Sequence, residues 1–426
     1  MPRFLVRIFL CALVATGLWA QQTEVVLSAT SSAKLVLAMA TPKVAGLDQG
    51  TVAAEFTAVL KRDLDESGVI AMLTERLPAE GSPAKAWKEA GAQWLLTARL
   101  TKAANGDLQM EASALDTAAE KSVFSRTYNA NRIVPLRYLA HYLADDLVGR
   151  LTGEKGVASS RIVFVRQAAP GVKEIFQVDR DGAGLVQLTR HGSLTLSPTL
   201  ATDGRIAYVT YKGGAPEIWG QRRKDGPHEK LYPVSGAGGM LTSPAWSPDG
   251  KRLAFVQGDR RGNSDIMVLD LGTLRARRLT DSNGINTEPC WNPNGNQLAF
   301  TSDREGGPQV FLMQDDGSNL RRLTGEGLYN ASPAWSPNGA MIAYVSRFEG
   351  KFDLFVYKLG EGKAYQITTG VSTSESPAWS PDERRLVFTS NRFGSSQLFT
   401  TDLSGRQILR LTELSNCQSP RWIRGR

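Results

Sequence analysis

The chain holds three histidines, His141, His191 and His228, and no two of them stand at a metal-ligand spacing such as H-x-x-x-H. A zinc centre or a histidine-based general base is therefore not expected. Ser31-Ser32-Ala33-Lys34 matches S-x-x-K by letters, but it precedes a predicted strand instead of opening a helix, and it lacks companion motifs. Neither G-x-S-x-G nor G-x-x-x-x-G-K-[ST] occurs, and the two glycines of "DGAGLV" from Asp181 read as a hairpin turn, not a dinucleotide loop. His191 follows a Leu-Thr strand end; an ordinary surface histidine is the favoured reading, a residue facing a ligand the other. Of the three cysteines, Cys11 falls in an apolar leader, and Cys290 and Cys417 sit in distant repeats, which predicts two unpaired thiols. The expectation is no catalytic residue, no metal and no cofactor, so function must reside in a surface.

That surface is set by a repeat. Pro198, Pro244, Pro289, Pro333, Pro377 and Pro420 each anchor a phrase like "SPAWSPDGKRLAFV", at intervals of 43 to 46 residues, the period of a propeller blade. Each unit carries four strand signals, such as "PAW", "RLAFV", "DIMVLDL" and a last one ending in Leu-Thr or Ile-Thr. Asp203-Gly204, Asp249-Gly250, Asn294-Gly295 and Asn338-Gly339 supply positive φ for tight turns. Trp246, Trp291, Trp335, Trp379 and Trp422 read as wedges between blades, with Leu200 taking that position in the second blade. Six second strands are found, beginning at Arg161; the first lacks a preceding "SPxW" and the last "SPRW" lacks following strands. An all-β propeller of six blades over 161–426, closed by the C-terminal strand, follows.

Ahead of it the pattern is α/β: a strand at Lys34 to Ala40, a helix from Gly50 to Ser67, a strand "VIAML", a helix round Trp87, two or three strands from Gln93 to Tyr128, and an amphipathic helix from Val134 to Leu151. This α/β domain is assigned to 21–152 and a linker to 153–160. Residues 1–20, with Arg3, Arg7 and the apolar "IFLCALVATGLW", have the layout of a secretory signal peptide, which predicts export without a membrane span. Net charge is +8 with no dense basic run, so nucleic-acid binding is not expected, and a monomer is.

Nine residues separate Thr189, Thr280, Thr324 and Thr368 from the following proline. Residues just before each proline should therefore ring the channel mouth: Thr195, Leu196, Met240, Thr242, Ser243, Thr287, Glu288, Asn330, Ala331, Ser374, Glu375, Gln418 and Ser419. Loops between second and third strands open on the same face and carry Arg260, Arg261, Arg304, Arg347 and Arg392, read either as loop solubility or as an electropositive collar steering an acidic partner.

The stretches "NTEPCWNPNGNQLAFTSDREGGPQVF", Asn286 to Phe311, and "RYLAHYLADDLVGRLTGEKGVASSRIVFV", Arg137 to Val165, resemble the TolB family, periplasmic propellers of the Tol-Pal envelope system. The order of leader, α/β domain and six blades fits the same resemblance along essentially the whole chain. It implies a scaffold that binds the lipoprotein Pal at the channel face and the protein TolA through its mature N-terminal segment, helping the outer membrane follow the septum in division. By position, Pal contacts would fall on Thr287 and Glu288, and one blade earlier on Ser243 with Met240 near it. The TolA-binding segment would be about Gln21 to Ser32, in which Gln21, Gln22, Thr23, Glu24, Val25 and Val26 keep only a Glu-Val-x-hydrophobic trace of the family's segment. A propeller hydrolase or lyase, and a sugar- or peptidoglycan-binding module, are the alternatives; the first lacks a catalytic partner domain and the second calls for aromatic residues at the mouth.

Overall fold

A computed structural model of the chain describes residues 34–131, 135–233, 239–348, 350–370 and 372–425. The expected signal peptide, the segment from Gln21 to Val26, and Ser31 to Ala33 lie outside them.

The first unit is β1 (Leu35–Met39), β2 (Lys43–Ala45), α1 (Gln49–Ser67), β3 (Ile70–Leu73), α2 (Ala84–Glu89), β4 (Trp94–Lys102), β5 (Leu108–Asp116), β6 (Lys121–Ala130) and α3 (Leu136–Thr152). The sheet runs β3-β1-β4-β5-β6, parallel through its first three strands and antiparallel through the rest, with the short β2 alongside β4. Asp48 caps α1 by accepting from the Thr51 N–H at 2.8 Å, and Gly68, in the left-handed conformation, ends it. The apolar stripes of α1 (Phe56, Leu60, Leu64) and α3 (Leu139, Leu143, Leu147) are fully buried against Leu37, Leu96, Leu100 and Met110 of the sheet.

Six four-stranded antiparallel sheets follow. Their innermost strands are Thr195–Leu200, Leu241–Trp246, Asn286–Trp291, Asn330–Trp335, Ser374–Trp379 and Cys417–Ile423. The last of these pairs with β7 (Arg161–Ala169), which continues through β8 (Val172–Asp179) and β9 (Val186–Gln187). The two ends of the repeat array thus share the first blade, and the ring closes as expected from the unmatched "SPRW".

The repeated phrase now has a physical reading. In "SPDG" the Ser247 carbonyl accepts from the Gly250 N–H at 2.9 Å, and the Ser247 Oγ accepts from the Arg252 N–H at 2.9 Å. Proline stands second, where its fixed φ is preorganised, and only the glycine is left-handed, at φ 66° for Gly250. The expected positive φ is thus present in every pair and is supplied by the glycine alone. In the sixth blade Glu383 takes the glycine's place at φ 64°.

Blades are joined by a clasp. Arg252 lies over the Trp291 ring of the next blade at 4.6 Å and donates to the Gly295 carbonyl at 3.0 Å; Arg205 does the same to Trp246 and Gly250, at 4.6 and 2.8 Å. Both tryptophans are 6% exposed, as wedges should be.

The α/β unit seats on the face that carries the "SPDG" turns. Arg384 in the last such turn donates to the Ser67 carbonyl at 2.7 Å and pairs with Glu154, and Arg180 pairs with Glu66 at 3.1 Å. The channel mouth, at the opposite ends of the innermost strands, is left open.

Candidate functional site: the channel mouth

Each innermost strand carries a register shift where it pairs with the second strand: between Leu196 and Thr199, Thr242 and Ala245, Thr287 and Cys290, Ala331 and Ala334, Glu375 and Ala378, and Gln418 and Arg421. The residue before the proline sits inside that bulge with φ of 50° to 55°: Ser197, Ser243, Glu288, Ser332, Ser376 and Ser419. A non-glycine residue pays roughly 1 kcal/mol or more for such a conformation. It occurs once in every blade, so the bulge is a ring-wide device that bends the six strands inward around the channel.

The channel is a cavity of about 560 Å³ walled by the innermost strands of all six blades. Of the residues expected at its mouth, Thr242, Ser243, Thr287, Glu288 and Ser419 line it. Leu196 is half-buried, while Met240, Glu375 and Gln418 are exposed beside it. Thr195, Asn330, Ala331 and Ser374 are buried, at 0 to 3% exposure, and so drop out as contacts. Asn330, for instance, is turned into the blade, where its Nδ2 donates to Gln309 Oε1 and to the Glu326 carbonyl. Strand alternation places the opening residue of the innermost strand inside, as for Thr195, Asn330 and Ser374, a distinction that counting back from the proline does not make; Ala331 holds the same register position as Thr242 and Thr287 and is buried although they line the channel.

Glu288 is held tightly. Its carboxylate accepts from Thr301 Oγ1 at 2.9 Å, from the Ser332 N–H at 2.7 Å and from Ser332 Oγ at 2.6 Å, tying one blade to the next. Glu375, exposed as a residue, has a carboxyl partly desolvated by the channel wall, which raises its pKa first, the Glu288 charge adding to the shift.

The five collar arginines divide into two groups. Arg260, Arg261 and Arg347 are exposed. Arg304 lies over Phe300 and Phe311 and donates to Asn286 Oδ1 at 2.6 Å, and Arg392 lies over Phe388 and Phe399. Half-buried on aromatic faces, these two brace the mouth-side hairpins, a role that loop solubility does not cover.

A feature missed by sequence reasoning surrounds the mouth. Leu194, Met240, Ile285 and Leu328 precede innermost strands, and Phe393 tips a mouth-side hairpin; their exposures are 36, 52, 49, 91 and 62%. The sequence signal was available as an apolar residue one or two positions before four of the six innermost strands, but only Met240 was singled out. Such exposed apolar side chains, gathered on one face, mark an interaction surface.

His191 and His228 both hold the buried Tyr208 hydroxyl, at 3.0 and 2.9 Å, and burial lowers the pKa of each. His191 is thus half-buried against Tyr208 and is not the ordinary surface histidine that was favoured. Cys290 and Cys417 are both free thiols.

On the far face, His141, Asp179 and Asp181 offer ligand atoms within 4.8 Å of one another. The Asp181 carboxylate is already paired with Arg62 and Arg137, His141 Nδ1 lies 2.5 Å from Asp63, and Tyr138 donates to Asp179 at 2.9 Å. Two guanidinium groups occupy the space a cation would need, so this cluster is an ionic latch between α3 and the end of β8.

These features define a class: two-domain propeller proteins in which an α/β unit closes one face of a six-bladed ring and leaves an apolar-rimmed channel on the other. Two family models match the chain, the TolB amino-terminal domain over residues 24–123 and the TolB beta propeller domain over residues 148–422. The chain belongs to the TolB family. It is 36% identical over 256 residues to a protein TolB homolog of Chlorobium luteolum, an alignment covering 50% of this chain and 58% of the relative. It is 34% identical over 244 residues to the Tol-Pal system protein TolB of Anaeromyxobacter dehalogenans, covering 55% and 54%. The matched part thus spans little more than half the length of these relatives. The crystal structure of TolB from Acinetobacter baumannii superposes with a TM-score of 0.77 at 26% identity, covering 92% of this chain and 97% of that one.

Proposed function

We propose that this protein is a periplasmic adaptor of the Tol-Pal system, non-catalytic, which docks the lipoprotein Pal on the channel face and engages TolA through its N-terminal segment during outer-membrane invagination. The observation that carries the reading is the ring of Leu194, Met240, Ile285, Leu328 and Phe393 around a channel mouth that the α/β unit leaves open. An apolar ring round a polar, partly charged mouth suits a protein partner better than a sugar, because the tryptophans that line the channel stand at the far ends of the innermost strands and give no stacking face at the mouth. Among the described residues no helix is long and apolar enough to cross a membrane, which accords with a peripheral adaptor.

The test is calorimetric titration of Pal from the same organism into the full chain. Met240→Asp and Ile285→Asp each place a charge in the rim and should weaken binding by tenfold or more, on the scale of a contact worth over about 1.4 kcal/mol. Tight binding unaffected by both substitutions would remove the channel face as the docking surface. Deleting the segment from Gln21 to Ser32 should abolish TolA capture and leave Pal binding intact.

A further inference from the structure

At one level of the channel wall the six innermost strands contribute Thr199, Ala245, Cys290, Ala334, Ala378 and Arg421. Five of the six are small. The sixth is a long cation, supplied by the strand that closes the ring. In a six-bladed ring the blade holding Arg421 lies across from the one holding Glu288 and Cys290; the Glu288 carboxylate acts on the guanidinium, while burial raises the Cys290 pKa and keeps that thiol neutral. Arg421 therefore projects into the lumen, toward the opposite wall, through space that the alanines leave open.

The cation is poorly matched there. Among the described residues its side chain makes one hydrogen bond, from Nη1 to the carbonyl of the adjacent Pro420, at 2.8 Å. A guanidinium has five N–H donors, so most remain to be used. Glu288 is the nearest natural counter-ion, but its oxygens are committed to Thr301 and Ser332, and no ion pair joins it to Arg421 among the described residues. Burial depresses the Arg421 pKa, as expected of a charge drawn out of water without a partner, yet an arginine stays charged throughout the physiological range. Such a group favours an incoming anion, and its planar fork favours a carboxylate taken in two-point fashion.

We propose that Arg421 makes the channel a carboxylate socket, filled by an acidic side chain of the polypeptide that docks on the mouth. The proposal rests on the Pal-docking reading for the identity of that polypeptide, and on the lumen geometry alone for the socket. The exposed Arg260, Arg261 and Arg347 on the mouth-side hairpins point to the same partner chemistry, since they favour the approach of an acidic segment. A singly charged carboxylate is preferred over a phosphate dianion because Glu288 and Glu375 stand nearby.

Arg421→Ala is a clean probe, for it installs the residue that three other blades carry at this level; Arg421→Lys keeps the charge and loses the fork. The socket is read first with acetate as the probe, by thermal unfolding of the full chain at fixed ionic strength against chloride and phosphate. Acetate should raise the melting temperature of the wild type, more than chloride or phosphate does, and should have no specific effect on Arg421→Ala. Equal shifts in both proteins, or equal shifts from all three anions, mean an adventitious ion only and overturn the socket. The second reading is Pal affinity. Loss of one charge-assisted pair should weaken Pal binding roughly tenfold or more in Arg421→Ala, with Arg421→Lys intermediate. Undiminished Pal binding by Arg421→Ala overturns the assignment of an acidic side chain to the socket. If Pal fails to bind the wild type while acetate protection still depends on Arg421, the docking reading falls and the socket stands.

Discussion

The two wedge tryptophans Trp246 and Trp291 are nearly a matched pair. Each is 6% exposed, each has an arginine of the preceding blade 4.6 Å above its ring, and each belongs to the same phrase. They differ in one bond: Trp291 Nε1 donates to the Ala245 carbonyl at 3.1 Å, whereas Trp246 Nε1 is buried with no acceptor. Replacing either by phenylalanine removes a similar apolar area and leaves a similar void, so those costs should nearly cancel between the two variants. What remains is a hydrogen bond, worth about 1 kcal/mol, lost only in Trp291→Phe, and an unsatisfied donor, costing about 1–3 kcal/mol, removed only in Trp246→Phe. Trp291→Phe should therefore be less stable than Trp246→Phe by roughly 2–4 kcal/mol. Urea unfolding followed by far-UV circular dichroism measures this, provided the slopes of the two variants agree. Equal midpoints, or a larger loss in Trp246→Phe, would refute the hydrogen-bond account of the wedge.

Three further outcomes are expected. Deleting residues 417–426 strips β7 of its ladder partner and should open the first blade, read as rapid amide exchange and proteolysis across Arg161–Ala169; protection equal to that of the full chain would contradict ring closure. Asp181→Ala leaves Arg137, 19% exposed, without one of its two carboxylates, and should cost about 3 kcal/mol, with α3 exchanging faster while the distant blades keep their protection. His191 and His228 have folded-state pKa values below 6.5, so the unfolded chain binds more protons than the native one as pH falls through that value. Stability is thus complete above pH 6.5 and declines below it, and the double substitution His191→Gln, His228→Gln should flatten that decline in urea unfolding measured at successive pH values.

The ring itself was readable because its signals are backbone requirements. Proline and Asp-Gly mark turns whose φ values few residues satisfy, and an orphan first blade beside an orphan last strand leaves one way to pair them. In the α/β unit the strongly periodic helices were equally plain, whereas β2 was not: three residues, one half-buried and two exposed, carry no pattern that distinguishes a strand from a loop. The site was less legible for two reasons. Counting residues back from a proline gives height along the channel but not the side a residue faces, so Thr195, Asn330 and Ser374 were grouped with true rim positions. The latch of Asp63, His141, Asp179 and Asp181 joins elements from both units, and separation along the chain hides such a meeting.

The same comparison explains why the channel is more than a by-product of closure. A ring built from identical phrases would place the same small residue six times around its lumen and a serine six times at the bulge. Two positions break that symmetry with charge, Glu288 at the bulge and Arg421 one level below, and they face each other across the channel. Neither is needed to close a blade, because serine and alanine do so in the others. Glu288 has been absorbed into the wall by Ser332 and Thr301; Arg421 has, among the described residues, the Pro420 carbonyl and no counter-ion. An unneutralised cation in the lumen works against stability, and the strand that carries it also completes the ring. A partner's acidic group seated in the lumen would relieve that cost and hold the closing strand in place, so docking at the mouth and integrity of the ring become linked through one residue.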